Sequence, residues 1–236
     1  MPWCLPWKCP ILALGKIWRR IPTPNRPTPR SPHGSATLAD TAVIRPATEA
    51  DRPALYEICL RTADNGSDAS HLYSEPRLPG FIWAVPYQAV VPDFAFVLDA
   101  GAGPVGYVVA APDTAAFADR LEREWWPDVR RLVGGLTPHT ANDERVLALI
   151  RRPETKDPAM LADYPAHLHI NLLPLFQSSG WGRRLVETEL AALRAKGVPG
   201  LHLGVSAGNA KVIGFYEKLG FREIARPASI YMGMRL

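Results

Sequence analysis

The residues Gln177-Ser178-Ser179-Gly180-Trp181-Gly182-Arg183 follow a short apolar run, Leu168 to Leu173, and open a long amphipathic segment. A glycine-rich turn between a strand and a helix gathers backbone N–H groups at the positive end of the helix dipole. Such a turn binds phosphate without needing any particular side chain. Arg183 and Arg184 fall in the first helical turn, where the dipole disfavours cations, so an anionic ligand accounts for them better than helix stability does. The chemistry on offer is the grip of a pyrophosphate. A P-loop needs Lys-Ser or Lys-Thr after its last glycine, and Gly182 is followed by Arg-Arg-Leu. A dinucleotide fingerprint needs a small residue where Leu185 stands, and an acid about twenty residues on. Neither fits. A helix that merely starts after a tight turn stays open as the plain alternative.

The elements that position this turn narrow the choice. Apolar residues Leu185, Val186, Leu190, Ala192 and Leu193 recur at helical spacing over 181–196, and Gly197 supplies a left-handed stop. A strand, Leu201 to Val205, follows, then a second helix from Asn209 to Leu219 ended by Gly220. Asn209 and Tyr216 stand two helical turns apart and so share one face. The pattern Gln-x-x-Gly-x-Gly, with Val205, Asn209, Phe215-Tyr216 and Leu219-Gly220-Phe221 at these spacings, resembles motif A and its sequel in the GNAT N-acetyltransferases. The resemblance covers 41–236 and is strongest over 164–221. Leu60 to Gly66, the Trp125-Trp126 pair and Tyr164 to Ile170 further resemble the acetyltransferase-like domain of O-GlcNAcase and its free-standing bacterial relatives. Those relatives carry an acid on the strand where this chain has Asn171, and an amide cannot serve as a base.

The resemblance implies an α/β (α+β) GNAT fold. Its central sheet is mixed, mostly antiparallel, with six to seven strands flanked by helices and splayed fourth and fifth strands. It implies acetyl-CoA as co-substrate, with no metal. The backbone of Leu172 and Leu173 would pair with the pantetheine arm, and Gln177, Ser178, Ser179, Gly180, Trp181 and Gly182 would hold the pyrophosphate. Arg183, Arg184, Asn209 and Tyr216 would border the cofactor, with the Trp181 indole packed rather than exposed. Tyr216 is the expected acid, because aminolysis of a thioester expels a thiolate and a phenol of pKa about 10 can protonate it. The acceptor amine must also lose a proton. His167 and His169 project from one strand face, Asp64 and Asp68 lie in the loop bordering the acceptor, and His169 and Asp64 are the leading candidates. A His-x-His metal site lacks an evident third ligand, and His202 reads as structural.

Composition sets the outer bounds. The 236 residues accommodate one domain plus an extension. Residues 1–40 carry a net charge of +5 of the chain's +4, which leaves −1 for the rest, so the basic pI of 9.1 belongs to the tail and argues against nucleic-acid binding by the folded part. Pro22 to Pro32 cannot form a helix or a central strand. The expectation is a disordered, basic, proline-rich extension over 1–40, without stable membrane insertion, and an acetyltransferase domain over 41–236. Cys4, Cys9 and Cys59 form no even framework and fit a reducing cytoplasm, Cys59 reading as a core residue.

Further elements follow from local pattern. They are a strand at 42–46, a helix from Pro53 to about Arg61 behind a Thr48–Asp51 capping box, and a segment over 76–92 that is mostly loop with room for a helical turn. A hairpin then pairs 94–98 with 105–110, and one helix runs from Asp113 to Leu132. Strands are expected at 146–150, 167–172 and 229–235. Acetyl transfer to an amine, on a small molecule or a protein lysine, by a monomer or homodimer is the leading function. A catalytically silent acyl-CoA-binding or interaction module is the alternative.

Overall fold

The computed structural model describes residues 41–206, 208–226 and 229–236. The expectation for residues 1–40 lies outside them. In chain order the elements are β1 (Val43–Pro46), α1 (Arg52–Leu60), α2 (Gly80–Trp83), α3 (Val85–Val90), β2 (Ala95–Asp99), β3 (Pro104–Ala111), α4 (Thr114–Glu124), α5 (Trp126–Val133), α6 (Ala141–Arg151), α7 (Pro158–Asp163), β4 (Ala166–Leu172), α8 (Trp181–Ala195), β5 (Gly200–Val205), α9 (Ala210–Lys218), β6 (Arg222–Ala225) and β7 (Ile230–Arg235).

The strands form one sheet in the order β1-β2-β3-β4-β5-β7-β6. Every neighbouring pair is antiparallel except β4 and β5, which run parallel. That parallel pair touches only at Ala166↔Leu201 and His167↔His202, although β4 continues to Leu172. The fourth and fifth strands therefore splay, as expected from the family pattern.

Side-chain alternation divides the core between the two sheet faces. Tyr107, Val109 and Ala111 of β3 pack with Leu55, Ile58, Phe81, Tyr87, Trp125 and Leu147 from the helices before β4. On the opposite face Ala110, Leu168, Leu201 and Leu203 lie with Val186, Leu190 and Leu193 of α8 and Tyr216 of α9. Both of these helices end in the same way. Val198 N–H reaches Leu193 O and Phe221 N–H reaches Tyr216 O, around Gly197 and Gly220 at φ 76° and 96°. This six-to-one closure requires the left-handed residue.

Three local expectations need correction, and one strand, β6, is not anticipated by the sequence pattern. Residues 146–150 are helical in α6, not a strand. Thr140 Oγ accepts from Asp143 N–H while the Asp143 carboxylate accepts from the N–H groups of His139 and Thr140, a capping box that starts a helix. Val146, Leu147 and Ile150 then face inward at helical spacing. The helix expected over 113–132 breaks at Trp125, because Pro127 lacks an N–H and its ring excludes the carbonyl one turn back. Residues 76–92 hold two short helices, α2 and α3, whose Phe81, Val85, Tyr87 and Val90 enter the core. Strand β6 follows the α9 cap directly, and its exposed first residues carry little apolar alternation.

Helix α8 also buries Glu189, which is 0% exposed, and neither carboxylate oxygen has a hydrogen-bond partner among the described residues. Burial pushes its pKa well above the ordinary carboxyl value. The folded chain thus keeps a proton that the unfolded chain has released above about pH 4.3, so this residue costs stability as pH rises. Glu189→Met is expected to raise the melting temperature at about pH 7.5, with the gain shrinking toward about pH 4.5. Melting curves across that range check the slope.

Candidate functional site

The turn between β4 and α8 is built by local hydrogen bonds. Phe176 N–H donates to Leu173 O, Gln177 N–H to Pro174 O, and Ser179 Oγ to Phe176 O at 2.7 Å. Ser178 and Gly180 both take left-handed conformations, φ 60° and 86°. A Cβ at Gly180 would meet nothing within 4 Å, so glycine is required there by its dihedral angle rather than by space. Arg184 N–H is the first to close onto a carbonyl of this helix start, that of Gly180 at 3.2 Å. The N–H groups just before it have no acceptor one turn back, which leaves them for a ligand.

The side chains here mostly serve the protein. The Trp181 indole is buried with Leu98, Val108, Phe176 and Leu185. The Arg184 guanidinium stacks 4.6 Å from that ring, and Arg183 pairs with Glu187 at 3.3 Å on the surface. Both cations sit beside the turn but have intramolecular partners. A Cβ on Gly182 would stand 3.5 Å from Leu172 and 3.5 Å from Phe215, so the first turn of α8, the end of β4 and α9 converge at this point.

The gap between β4 and β5 opens beside them. Leu173 N–H donates to Val105 O of the neighbouring β3. By strand alternation, the main-chain groups of Leu172 and Ile170 then face the other way, into the gap. The Leu172 carbonyl accepts the Gln177 side chain at 2.8 Å. Gly106 of β3 makes room for the Leu172 side chain, because a Cβ there would lie 2.3 Å from it.

On α9, Asn209 is the N-cap, its Oδ1 accepting from Val212 N–H at 3.2 Å. Tyr216 is buried between Phe215 and Phe221, with ring centroids at 5.1 and 5.3 Å. Burial raises its pKa above the usual phenol value, so the hydroxyl keeps its proton.

The histidines project from the opposite face of the sheet to Tyr216. Thr114 Oγ donates to Pro165 O at 2.6 Å, so its lone pairs must receive the His167 Nδ1 proton at 2.7 Å. His167 Nε2 is then bare and accepts from Tyr87 O–H at 2.7 Å. Both ring nitrogens of His167 are committed. His169 sits beside the same Tyr87 ring, centroids 5.5 Å apart. Burial is the main cause that lowers its pKa to about 4, with Lys156 and His202 adding to it. His202 is buried, its Nδ1 against Tyr164 O at 2.8 Å. Among the described residues no group of three or more His, Cys, Asp or Glu is arranged to hold a metal ion.

Asp64 lies in a tight hairpin in which Asp64 and Ser67 exchange backbone hydrogen bonds around left-handed Asn65 and Gly66. Asp68 is exposed and accepts from Ser70. Asn171 Nδ2 donates to Thr62 Oγ1 and ties β4 to the start of this segment. Sequence reasoning passed over Tyr87, Thr114, Thr62 and Gly106. Each acts through a contact distant in the chain that no local pattern announces. A separate groove of about 780 Å³ runs along Arg152, Glu154, Lys156, Met160, Arg226 and Tyr231. Tyr231 lies 6.2 Å from His202, ring to ring.

A splayed parallel pair with a glycine turn at its mouth defines a recognisable class. Residues 69–221 match the model of the Acetyltransferase (GNAT) family, and the chain belongs to that family. It is similar to SsHAT, whose crystal structure superposes with a TM-score of 0.77 at 40% identity, over 83% of this chain and 98% of that one. It is 24% identical over 186 residues to Protein O-GlcNAcase of Rattus norvegicus, covering 78% of this chain and 20% of that protein. The chain thus spans only a fifth of that relative's length. Over 81 residues it is 38% identical to the ribosomal protein bS18-alanine N-acetyltransferase of Salmonella typhimurium, covering 34% of this chain and 51% of the enzyme. No helix among the described residues is long and apolar enough to cross a membrane.

The Tyr87–His167–Thr114 chain makes a direct prediction. Tyr87→Phe removes the donor to His167 Nε2 and is expected to cost about 1–3 kcal/mol in a denaturant titration. Nitrogen NMR of the wild type should report the Nδ1–H tautomer of His167.

Proposed function

We propose that the protein transfers an acetyl group from acetyl-CoA to an amine. The observation that carries this reading is the turn over 177–183, with left-handed Ser178 and Gly180, placed beside main-chain groups of β4 that have no strand to pair with. Backbone N–H groups of Ser178 to Gly182 suit a diphosphate, and the gap-facing groups of Ile170 and Leu172 suit the amides of a pantetheine arm; Leu173 and Gln177, expected to share these roles, spend their N–H groups on Val105 O and Pro174 O instead. The thioester would supply the acyl group. The amine nitrogen bonds to its carbonyl carbon, the carbon–sulfur bond breaks, and Tyr216 O–H protonates the departing sulfur. The acceptor would approach from the opposite face, past His169, the Asp64 hairpin and the groove beside Tyr231. Arg183, Arg184 and Asn209 complete the cofactor side in this reading.

A second reading, a silent acyl-CoA-binding module, is favoured by one specific observation: no good base lines β4. Position 171 is an amide, His167 has both nitrogens committed, and His169 is a weak base at a pKa of about 4. In the enzyme reading the proton leaves the amine through Asp64 or water.

Both readings expect acetyl-CoA to raise the melting temperature and Gly180→Val to abolish that rise, because a β-branched residue is strained at φ 86°. Only the enzyme reading expects amine-dependent release of free CoA, lowered roughly 100-fold in Tyr216→Phe. The acceptor panel should span lysine peptides, peptide N-termini and aminosugars. Binding without turnover across it would leave the silent module standing.

A further inference from the structure

The first residue of the glycine turn does its work on the other side of the site. Gln177 Nε2 donates twice, to Leu172 O at 2.8 Å and to Gly66 O at 2.9 Å. One amide thus joins the end of β4 to the hairpin that carries Asp64. Among the described residues the hairpin's other backbone bonds are its own: Asp64 N–H to Ser67 O, Ser67 N–H to Asp64 O and Gly66 N–H to Thr62 O. Its other link to β4 is the Asn171 Nδ2 donation to Thr62 Oγ1. Thr62 is buried and anchored to Ile58 O at 2.6 Å, so that link holds the base of the hairpin and not its tip. The tip, Asn65-Gly66, has two left-handed residues and a side chain exposed at Asn65. Gln177 is what fastens it.

We propose that Gln177 is a positioning residue: through Gly66 it docks the Asp64 hairpin onto the phosphate turn, so that filling the turn stiffens the acceptor-side loop. That the hairpin borders an acceptor rests on the acetyl-transfer reading, while the docking itself does not. Both accepting atoms are carbonyl oxygens, so the position demands a donor. A carboxylate there would face two acceptors with none to give. An arginine would bring donors for both, although with a different reach. A ligand held by the N–H groups of 178–182 restrains the residue next to them in the chain, and through its side chain the hairpin. Coupling of this kind is reciprocal, so it is readable from the loop's own dynamics.

The test is hydrogen exchange of the 61–69 segment in wild type, Gln177→Ala, Gln177→Glu and Gln177→Arg, each with and without acetyl-CoA, with binding measured by calorimetry. The Ala and Glu variants are expected to speed exchange at Asp64, Gly66 and Ser67 roughly tenfold in the free protein. They should keep acetyl-CoA affinity within about threefold, because backbone groups hold the phosphates. Acetyl-CoA should slow exchange of the hairpin in wild type and in Gln177→Arg, and not in the Ala or Glu variants. Unchanged exchange in Gln177→Ala would overturn the proposal. So would a loss of acetyl-CoA affinity large enough to make Gln177 a ligand of the cofactor itself. If wild type binds no acetyl-CoA, the acetyl-transfer reading fails, and the free-protein exchange still decides whether Gln177 holds the hairpin.

Discussion

Strands β4 and β5 part after two residue pairs, and the chemistry available to this protein follows from that parting. The main-chain groups of Ile170 and Leu172 turn toward a neighbour that is not there. These residues are half-buried, and a main-chain amide shut off from both water and a partner costs about 1–3 kcal/mol. Part of the compensation is internal. Gln177 occupies the Leu172 carbonyl, and Leu172, Gly182 and Phe215 close together at the mouth. Room for Leu172 comes from the missing side chain at Gly106 on the next strand.

The two faces of the sheet meet different needs around this opening. Under α8 and α9 the lining is apolar, and Tyr216 sits among aromatic rings that keep its hydroxyl protonated. On the other face a polar string from Tyr87 through His167 and Thr114 to the Pro165 carbonyl crosses the core with every donor and acceptor matched. A matched string of this kind fixes ring orientation more firmly than packing alone, since rotating any member strands a buried polar atom. Helix α4 and strand β4 are held in register by it, and with them the position of His169.

What was legible in the sequence was whatever is decided within a few residues. The turn over 177–183, helix α8 with its Gly197 stop, strand β5 and helix α9 with its Gly220 stop are all local events, and pattern alone located them. Helix α6 was misread because Val146 to Ile150 is a short apolar run, equally suited to a strand, and its Thr140–Asp143 cap lies several residues upstream. The break at Trp125 was overlooked because the apolar stripe continues through it, and only Pro127 marks the interruption. Within the site, the glycines and the tyrosine were visible as residue types. The partners of His167, the Gln177 bridge and the Asn171–Thr62 tie join segments far apart in the chain, and no spacing rule reaches across such a distance.

The imidazoles on the sheet carry one more consequence. His167, His169 and His202 are all held below the ordinary histidine pKa, chiefly by burial. Residues of this type commonly act as sensors of mild acidity, gaining charge as a compartment drops below neutrality. Burial biases all three toward the neutral form, which makes them poor triggers for such a switch. Within that interval the core's own response to protons rests with Glu189 of α8, whose buried carboxyl is held well above its ordinary range.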